Sequence, residues 1–595
     1  MTKKLICLLL CLLMVLPVLA SCKKKDSIGE ITNEASRYTT TLNLWMITEE
    51  GTDAAQVAAV NTAINKLTKA KYKTQINLKY LTAAEYYTKV EEAFKAHEAF
   101  LEENGGKVVP RKTNETYVNE FGIPELKYPT APDFEVDILF LGSHQKFVEY
   151  IEKGWLSDLT NDMGESALKL SYYMNPTMLK AASYGGKVYA VPNNHTVGEY
   201  TYLLVDKQLA SEYGDLSKSS IYDSDFENFL SYVKRTYGSG ADPVYPIYSA
   251  DGKVDVNDTH YWSYRLDGSY EQLPDTFSIF GANTHNADRT TKLENKNLLS
   301  DSTYMRRLAA KTLYENTDGY ITTDAEAKAA VRLVRGGYGL RDGFDTEKYD
   351  VLVVENPTLT DEEVFSSMFA VGSHTTNLQR SLEIITYLNT DAGVRNLFQY
   401  GIENVNYSLE TTKVGEKEYT YAQALPENAY RMDINKTGNR FIGYPNSADS
   451  VLYAEEGQKQ NLDLTVYPTF GLYFSKNYTP DLKSMTLVAA VSEKVGAYLS
   501  SRTSAGEILS VYAMASARSQ DPAAMAEYLL LLTGPVTYQW ENAAQTVGAA
   551  DLAAAMTSLH KETVDAAAGA LQSPYALYTL FCALEGIKGA TEATN

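Results

Sequence analysis

Short apolar runs and longer amphipathic segments alternate through the first 160 residues of the chain. The runs Leu42–Ile47, Ile76–Leu81 and Val136–Leu141 have the length of buried strands, and a segment with apolar residues at helical spacing follows each. Strand followed by helix, three times in succession, favours a parallel α/β sheet. Because ligands collect beyond the carboxyl ends of parallel strands, binding residues are expected at Trp45–Glu50 and Gly142–His144.

Capping residues indicate where the intervening helices begin. Asp53 can cap a helix whose apolar stripe is Val57, Val60, Ile64 and Leu67. Thr82 and Glu85 have the spacing of a capping box, at the start of a helix that continues through Leu101. A third helix is predicted over His144–Lys153.

The rest of the chain predicts a second, longer series of elements. Glu103–Pro132 is polar and contains proline, which indicates a long surface insertion. Further strands are predicted at Val188–Pro192, Tyr200–Val205, Val351–Val354 and Met368–Val371. Helices are predicted at Lys207–Tyr213, Asp225–Tyr237, Tyr304–Tyr314, Asp324–Val334 and Thr376–Leu388. From about residue 480 the pattern changes to Ala-rich helices.

Composition and charge limit the classes of function that the protein can have. The chain has 595 residues, 44% of them hydrophobic and 22% charged, which is typical of a folded protein of several domains. A net charge of -21 argues against binding nucleic acid or an anionic membrane through bulk charge. The 45 tyrosines against 18 phenylalanines are compatible with surfaces for a polar ligand, and equally with ordinary half-buried packing.

Residues 1–22 have the pattern of an export signal. A basic start is followed by the apolar run Leu5–Leu19, which is too short to span a membrane comfortably. Leu19-Ala20-Ser21-Cys22 resembles the processing site of a bacterial lipoprotein, so lipidation of Cys22 is expected, with a plain secretory signal as the alternative. Cleavage would leave 52 basic and 75 acidic residues, a net charge of -23. Cys582 is then the one cysteine left, and an intrachain disulfide is excluded.

Common catalytic and metal-binding motifs are absent from the sequence. The sequence lacks a phosphate loop, an HExxH pair and a GxSxG elbow, and Gly337–Asp342 lacks the third glycine of a dinucleotide fingerprint. Asp251, Asp255, Asn257 and Asp258 are the best Ca²⁺ ligand candidates, but they lack the glycine and distal glutamate of an EF-hand. A solvated acidic loop is the simpler interpretation there, and paired carboxylates for glycoside hydrolysis stay open.

Four segments resemble extracellular solute-binding proteins of bacterial ABC importers. They are Val136–Phe140 with Phe147–Leu159, Gly186–Pro192, Met368–Gly372 with Leu378–Leu388, and Gly401–Tyr407. The resemblance covers roughly residues 40–210 and 365–475, and it is closest to the large Gram-positive lipoprotein branch that is associated with sugars. Asn404 stands where that branch usually has glycine.

The resemblance implies a two-lobed α/β clamshell that holds its ligand between the lobes. The Ala-rich pattern beyond about residue 480, which the resemblance does not cover, adds a helical C-terminal region. The boundaries expected are a signal peptide at 1–21 and a tether at 22–37. The first lobe is expected at 38–196 plus about 367–430, and the second at 197–366 plus about 431–480. The helical region, 481–595, is expected to pack on the lobes.

Candidate ligand-binding residues follow from strand ends and crossings. In the first lobe they are Trp45, Glu49, Ser143 and His144, although core packing of Trp45 is about as compatible with its position. The first crossing adds Asn193, Asn194, His195, Glu199 and Tyr200, which could equally form a hinge turn. Trp262, Tyr264, Arg265 and Asp267 are expected on the opposing wall, with an aromatic packed loop as the alternative. Phe369 and Tyr407 are weaker additions.

The sequence therefore predicts a lipid-anchored, extracytoplasmic receptor that delivers a sugar or another small polar ligand to an ABC importer. It is expected to be a monomer that needs no cofactor or metal, performs no catalysis and binds no nucleic acid. Its partners would be the permease subunits and the membrane, through the lipid on Cys22. The alternatives are an exported polysaccharide-acting enzyme and a surface sensor with the same clamshell.

The placement of Trp262 yields a test. Replacing Trp262 by alanine should weaken ligand binding at least about tenfold, or about 1.4 kcal/mol, because a stacking face is lost. The melting temperature should not fall. Calorimetric titration and thermal unfolding measure the two quantities, and unchanged affinity with a lower melting temperature would support the packed-loop interpretation.

Overall fold

Two five-stranded sheets carry the architecture of the chain. The computed structural model describes residues 38–106, 111–175, 178–179, 182–184, 187–214, 216, 221, 224–254, 261–263, 280–283, 295–359, 361–466 and 482–558. The expected signal peptide and Cys22, all of the tether and Cys582 lie outside these residues. No helix in these ranges is long and apolar enough to cross a membrane.

The strands are numbered along the chain. They are β1 Thr40–Thr48, β2 Thr74–Thr82, β3 Thr116–Val118, β4 Pro124–Leu126, β5 Ile138–Leu141, β6 Ser183–Tyr184, β7 Lys187–Val188, β8 Ala190–Pro192, β9 Tyr200–Asp206, β10 Tyr245–Ser249, β11 Tyr261–Ser263, β12 Phe280–Asn283, β13 Asn295–Asn297, β14 Ile321–Thr322, β15 Ala329–Gly336, β16 Tyr349–Glu355, β17 Thr358–Leu359, β18 Met368–Val371, β19 Tyr407–Val414, β20 Lys417–Ala424, β21 Thr465–Val466, β22 Thr537–Trp540 and β23 Ala543–Thr546.

The helices are numbered in the same way. They are α1 Ala54–Tyr72, α2 Ala83–Glu103, α3 His144–Glu152, α4 Gly164–Ser171, α5 Lys207–Tyr213, α6 Ser224–Tyr237, α7 Ser302–Asn316, α8 Asp361–Phe365, α9 Leu378–Thr390, α10 Ala392–Tyr400, α11 Tyr453–Leu462, α12 Leu482–Ser500, α13 Ala505–Ser516 and α14 Pro522–Thr533. Short 3₁₀ helices occur at Leu298–Ser300, Tyr338–Gly343, Pro426–Asn428 and Ala448–Ser450.

The first sheet has the order β2-β1-β5-β18-β8 and forms the first lobe. Strands β2, β1 and β5 are parallel, as the three apolar runs predict. Strand β18 returns from a distant part of the chain and runs antiparallel to both β5 and β8. Eight of the nine residues of β1 are buried, because helices or loops cover both faces of this strand.

The predicted helix starts are only partly confirmed. Asp53 caps α1, where its side chain accepts hydrogen bonds from the backbone N–H groups of Ala55 and Gln56. The predicted capping box at Thr82 and Glu85 is wrong. Thr82 is the N-cap residue of α2, but no backbone N–H bonds its hydroxyl, which instead donates to the Glu85 carboxylate at 3.3 Å.

The second sheet has the order β14-β10-β15-β9-β16 and forms the second lobe. The helix predicted at Asp324–Val334 is wrong, because Ala329–Gly336 is the central strand β15. It pairs parallel to β10 and antiparallel to β9. Val331 and Leu333 pack into the lobe's core, so pairing on both edges overrides the helical propensity of the alanines.

The C-terminal helices pack on α7, which also contributes Ala310 and Tyr314 to the core of the second lobe. Met305 and Ala309 of α7 pack with Val491 and Val495 of α12 and with Ile508 of α13. This region is therefore attached to one lobe through α7. The two sheets match the two-lobed α/β architecture that the resemblance implies, and this region matches the helices that the Ala-rich pattern predicts. The exact domain boundaries stay a prediction.

The backbone conformation of Asn404 explains why it can stand where the family pattern has glycine. Its φ of 59° lies in the left-handed region, which glycine adopts without strain and asparagine tolerates better than other residues. An asparagine can therefore take the place of the usual glycine at this turn.

Two histidines face each other in the first lobe. The rings of His97 and His374 lie 4.8 Å apart between centroids, and Phe134 packs against His97. Burial, the neighbouring His374 and Arg111 together lower the pKa of His97 to about 4. Burial also lowers the pKa of His374, although Glu98 opposes the shift.

This pair predicts acid sensitivity. Each of these histidines has a lower pKa in the folded protein than its value of about 6.5 in the unfolded chain, so it binds a proton less readily when folded. The unprotonated ring therefore contributes its full share to the free energy of unfolding above about pH 6.5. That contribution is lost as the pH falls from about 6.5 toward 4. Replacing both His97 and His374 by leucine should flatten the fall in melting temperature over this range. Parallel curves for the variant and the unaltered protein would contradict the assignment.

Candidate functional site

Both connections of the first lobe leave its sheet at the same edge. Pro192, the last residue of β8, pairs with Met368, and Met368 pairs with Leu141 at the carboxyl end of β5. Asn193 then donates a backbone hydrogen bond to Ser367 at 2.9 Å. The chain therefore crosses to the second lobe beside the carboxyl ends of the parallel strands.

The second lobe presents the equivalent edge. Tyr200, the first residue of β9, pairs with Gly336 at the end of β15, and Thr201 pairs with Glu355 at the end of β16. The carboxyl ends of both sheets thus lie at the crossings. We call residues 193–199, 356–359, 361–367 and 431–463, together with these strand ends, the interlobe seam. It is the place where a two-sheet α/β protein is expected to hold a ligand.

Helix α11 holds the first crossing, which makes no strand pairs between Asn193 and Glu199. The Gln460 side chain donates to the carbonyls of Val197 and Gly198 at 3.0 and 2.6 Å. The Asn461 side chain donates to the His195 carbonyl and accepts from the Val197 N–H. These amides satisfy a buried backbone that would otherwise lose its hydrogen bonds.

The second crossing is tied to the first. The Gly198 N–H donates to a Glu363 carboxylate oxygen at 2.8 Å. The Asn193 side chain donates to Ser367 Oγ at 3.0 Å and accepts from the Asn389 amide at 3.2 Å. Polar groups from three separate parts of the chain therefore fix the hinge.

The predicted crossing residues are mostly buried. Asn193 and Asn194 are 1% and 2% exposed, and Asn194 donates to the Tyr173 carbonyl. Burial lowers the pKa of His195, whose Nδ1 lies 2.9 Å from the Asn193 carbonyl oxygen. Glu199 is exposed. The geometry of the first three residues accords with a hinge turn, and their ligand-binding role stays a prediction.

An arginine and three tyrosines gather at the second-lobe edge. The Arg341 guanidinium lies 4.4 Å from the ring centroid of Tyr200 and 4.6 Å from that of Tyr338. Its Nε donates to the Tyr202 hydroxyl at 3.1 Å. The Tyr200 hydroxyl donates to Asp463 at 2.8 Å. Tyr200 is fully buried, and its predicted ligand-binding role stays a prediction. Arg341, Tyr202 and Tyr338 are not among the residues that the sequence predicts.

A second arginine lies at the centre of the seam. Arg440 is 3.4 Å from the ring centroid of Tyr453, and its backbone N–H donates to the Asn194 carbonyl. The Tyr453 hydroxyl accepts from the Thr196 N–H at 3.0 Å. Arg440 and Tyr453 thus combine a charged donor with a flat aromatic face. Sequence reasoning missed both, because no local motif marks them.

A third connection between the lobes, residues 431–463, covers the end of β1. Thr48 and Thr52 each donate to the Arg431 carbonyl, at 3.1 and 3.0 Å. The backbone N–H of Glu49 donates to the same oxygen at 3.1 Å. The exposed Glu49 side chain therefore lies at the seam, as its position after β1 predicts.

Ser143 and His144 lie at the end of β5. Ser143 caps α3 by accepting from the Lys146 N–H at 3.3 Å. The His144 ring stacks on Phe365 of α8 with 4.3 Å between centroids. Both residues are brought to the second crossing, so the strand-end rule correctly locates them there.

Trp45 borders a pocket of about 550 Å³ in the first lobe. Its indole N–H donates to the Glu135 carbonyl at 2.9 Å, and its side chain is largely buried. Thr48, Thr52, Lys79, Tyr80 and Asp133 are among the other lining residues. The pocket follows β1 and β2 and the start of α1. This geometry gives Trp45 a packing role, and its contact with a ligand stays a prediction.

Phe369 and Tyr407 lie in cores. Phe369 is fully buried in the first sheet and packs edge-on against Phe140 at 5.8 Å. Tyr407 packs with Tyr400 in a small cluster that also contains Ala422 of the β19–β20 hairpin. Burial does not favour ligand contact for either residue.

The predicted opposing wall lies largely outside the described residues. The backbone of Trp262 pairs with that of Ala282 in a three-stranded sheet of β11, β12 and β13. Tyr264, Arg265 and Asp267 are outside the described ranges, as are Asp255, Asn257 and Asp258. Among the residues that the structure describes, no group of three potential metal ligands occurs.

Comparisons with known proteins agree with the resemblance seen in the sequence. No family model matches the chain. A "Carbohydrate ABC transporter substrate-binding protein" of Streptococcus pneumoniae is 23% identical over 372 residues, which span 60% of this chain and 70% of that protein.

Two solved structures are also similar. The N-glycan transport solute binding protein NgtS of Streptococcus pneumoniae is 18% identical, covers 89% of this chain and 99% of its own, and gives a TM-score of 0.45. The sugar-binding protein MalE of Xanthomonas citri is 12% identical, covers 83% and 99%, and gives a TM-score of 0.34. From the sequence relationship above, the chain is similar to the substrate-binding proteins of carbohydrate ABC transporters, which confirms the resemblance.

Proposed function

We propose that the protein is an extracytoplasmic solute-binding receptor that delivers a carbohydrate to an ABC importer, anchored through lipid on Cys22. One observation supports the proposal most directly. The carboxyl ends of the parallel strands of both sheets lie at the interlobe seam, where the chain crosses between the lobes. The similarity to a carbohydrate transporter's binding protein gives the ligand class.

The partly buried side chains at the seam, together with the exposed Glu49, suit a hydroxyl-rich ligand. Arg440 and Arg341 supply N–H donors, Tyr453 and Tyr338 supply ring faces, and Glu49 supplies a carboxylate acceptor. Sugars are held by such combinations, with a ring face against C–H groups and polar groups on hydroxyls. The net charge of -21 adds no general attraction for an anionic ligand.

Ligand uptake in this arrangement needs only a rotation of the lobes. Ligand that contacts both sheet edges stabilises a closed state, which the permease can distinguish from the open one. No group in the seam has to perform chemistry. A receptor needs no catalytic group, whereas a polysaccharide-acting enzyme, the main alternative, does. A surface sensor would share the fold but would bind a partner other than the permease.

The ligand class can be tested on the exported chain from residue 22 onward. Its melting temperature should rise with concentration for at least one oligosaccharide in a panel, because a ligand that binds only the folded state stabilises it. Amino acids and short peptides serve as the comparison set. Release of shorter sugars would favour the enzyme instead, and a response confined to peptides would contradict the carbohydrate assignment.

The hinge can be tested with two glutamines of α11. Gln460→Ala should lower the free energy of unfolding by about 1–3 kcal/mol, because buried carbonyls of Val197 and Gly198 lose their donor. It should also weaken ligand binding. Gln458→Ala, two residues away and exposed, is the matched control and should change stability by less than about 0.5 kcal/mol. Equal effects of the two substitutions in denaturant unfolding would contradict the role of Gln460.

A further inference from the structure

The β3–β4 hairpin exposes an unusual amount of apolar surface. Five of the sixteen large hydrophobic side chains found exposed in the described chain lie within ten residues: Tyr117 at 49%, Val118 at 67%, Phe121 at 78%, Ile123 at 56% and Leu126 at 37%. A two-stranded hairpin has no core of its own. So many exposed apolar side chains on one short hairpin indicate an interaction surface.

The polar groups of the hairpin are largely used internally. The Tyr117 hydroxyl and the Asn119 amide both donate to the Glu125 carboxylate, at 2.6 and 2.8 Å. Lys127 pairs with Glu115 at 3.1 Å. Register places Val118 opposite Pro124, on the face away from Tyr117. Apart from the exposed Glu120, the tip therefore offers apolar side chains.

The hairpin lies where the tether joins the first lobe. Its base pairs with Thr39, which donates to the Thr113 carbonyl at 2.8 Å and, through its hydroxyl, to the Lys127 carbonyl. Thr39 directly precedes β1, so this is the amino-terminal edge of the parallel strands. Lys69, in the last turn of α1, lies 4.5 Å from the ring centroid of Tyr128 at the same edge. The crossings leave from the opposite, carboxyl edge.

We propose that the β3–β4 hairpin docks on the lipid bilayer beside the anchor. This inference rests on the lipid-anchored receptor proposed above. A lipid on Cys22, joined by residues 23–37 to the base of the hairpin, would hold the hairpin at high effective concentration near the membrane. Tyrosine, phenylalanine and isoleucine at the tip suit the bilayer interface.

Geometry favours the bilayer over other occupants. The exported chain, with a net charge of -23, is repelled by an anionic leaflet, so adsorption has to come from apolar insertion rather than from basic residues. A permease that responds to closure has to contact both lobes, whereas the hairpin belongs to the first lobe alone and lies at its far edge. With the hairpin on the membrane, the seam faces away from it, and the receptor is oriented to capture ligand.

The test uses the full lipoprotein in phosphatidylcholine vesicles. In a Cys582→Ser background, Glu120→Cys carries an environment-sensitive fluorophore beside the tip. As the matched control, Glu347→Cys carries it at an exposed position before β16, at the edge of the second lobe remote from the seam. Emission at position 120 should shift to the blue, and a lipid with a shallow nitroxide should quench it at least twofold more than at position 347. Adding Phe121→Ser and Ile123→Ser should abolish the difference, while 0.5 M salt should not.

Several results would overturn the inference. The first two are equal quenching at both positions, and a blue shift at position 120 that persists with the serine substitutions. The other two are a blue shift that requires the permease, and a protein that does not float with the vesicles. A dimer that forms without vesicles and is lost with the same substitutions would assign the patch to a second copy. Oligosaccharide affinity measured on the same samples should not change. Insertion without any carbohydrate binding would leave this inference standing and refute the proposed ligand class.

Discussion

The interlobe seam depends on one constraint, the hydrogen bonding of an extended crossing that forms no strand pairs. His195, Val197 and Gly198 would each bury unsatisfied backbone groups if Gln460 and Asn461 did not reach them. Because these partners come from a helix more than 250 residues later in the chain, the hinge forms only when the third connection has folded back. The orientation of the two sheet edges, and thus the site between them, follows from this contact.

The sequence predicted the first lobe better than the second for a physical reason. Strands β1 and β2 and helix α1 are encoded locally, by buried runs and by the Asp53 cap. Strand β15 is not encoded in this way, because Ala329 and Ala330 favour a helix and only pairing with β9 and β10 makes the segment a strand. The error at Asp324–Val334 therefore came from tertiary context, which periodicity does not contain.

The same distinction applies to the site. Glu49, Ser143 and His144 could be located because parallel strands place their carboxyl ends at one edge. Arg440, Tyr453 and Gln460 could not, because they lie in a segment without a recognised motif. Arg341 could not be located for another reason. The segment before it was predicted to be a helix, so the end of strand β15 was not available as a guide to a binding residue.

The contacts of α11 also indicate how the lobes can move. Toward the first lobe, the Asn461 carbonyl accepts from Asn175 at 2.8 Å, and the Asn461 amide lies 3.9 Å from the Met178 sulfur. Toward the second lobe, the Tyr338 N–H donates to Gln460 at 3.0 Å, and Asp463 after the helix bonds Tyr200 and faces Arg341 at 3.7 Å. The hydrogen bond from Tyr200 to the Asp463 carboxylate is charge-assisted, and it is stronger than a neutral amide bond or a weak sulfur contact. Helix α11 should therefore move with the second lobe, so that opening the seam strains the contacts with Asn175 and Met178 first.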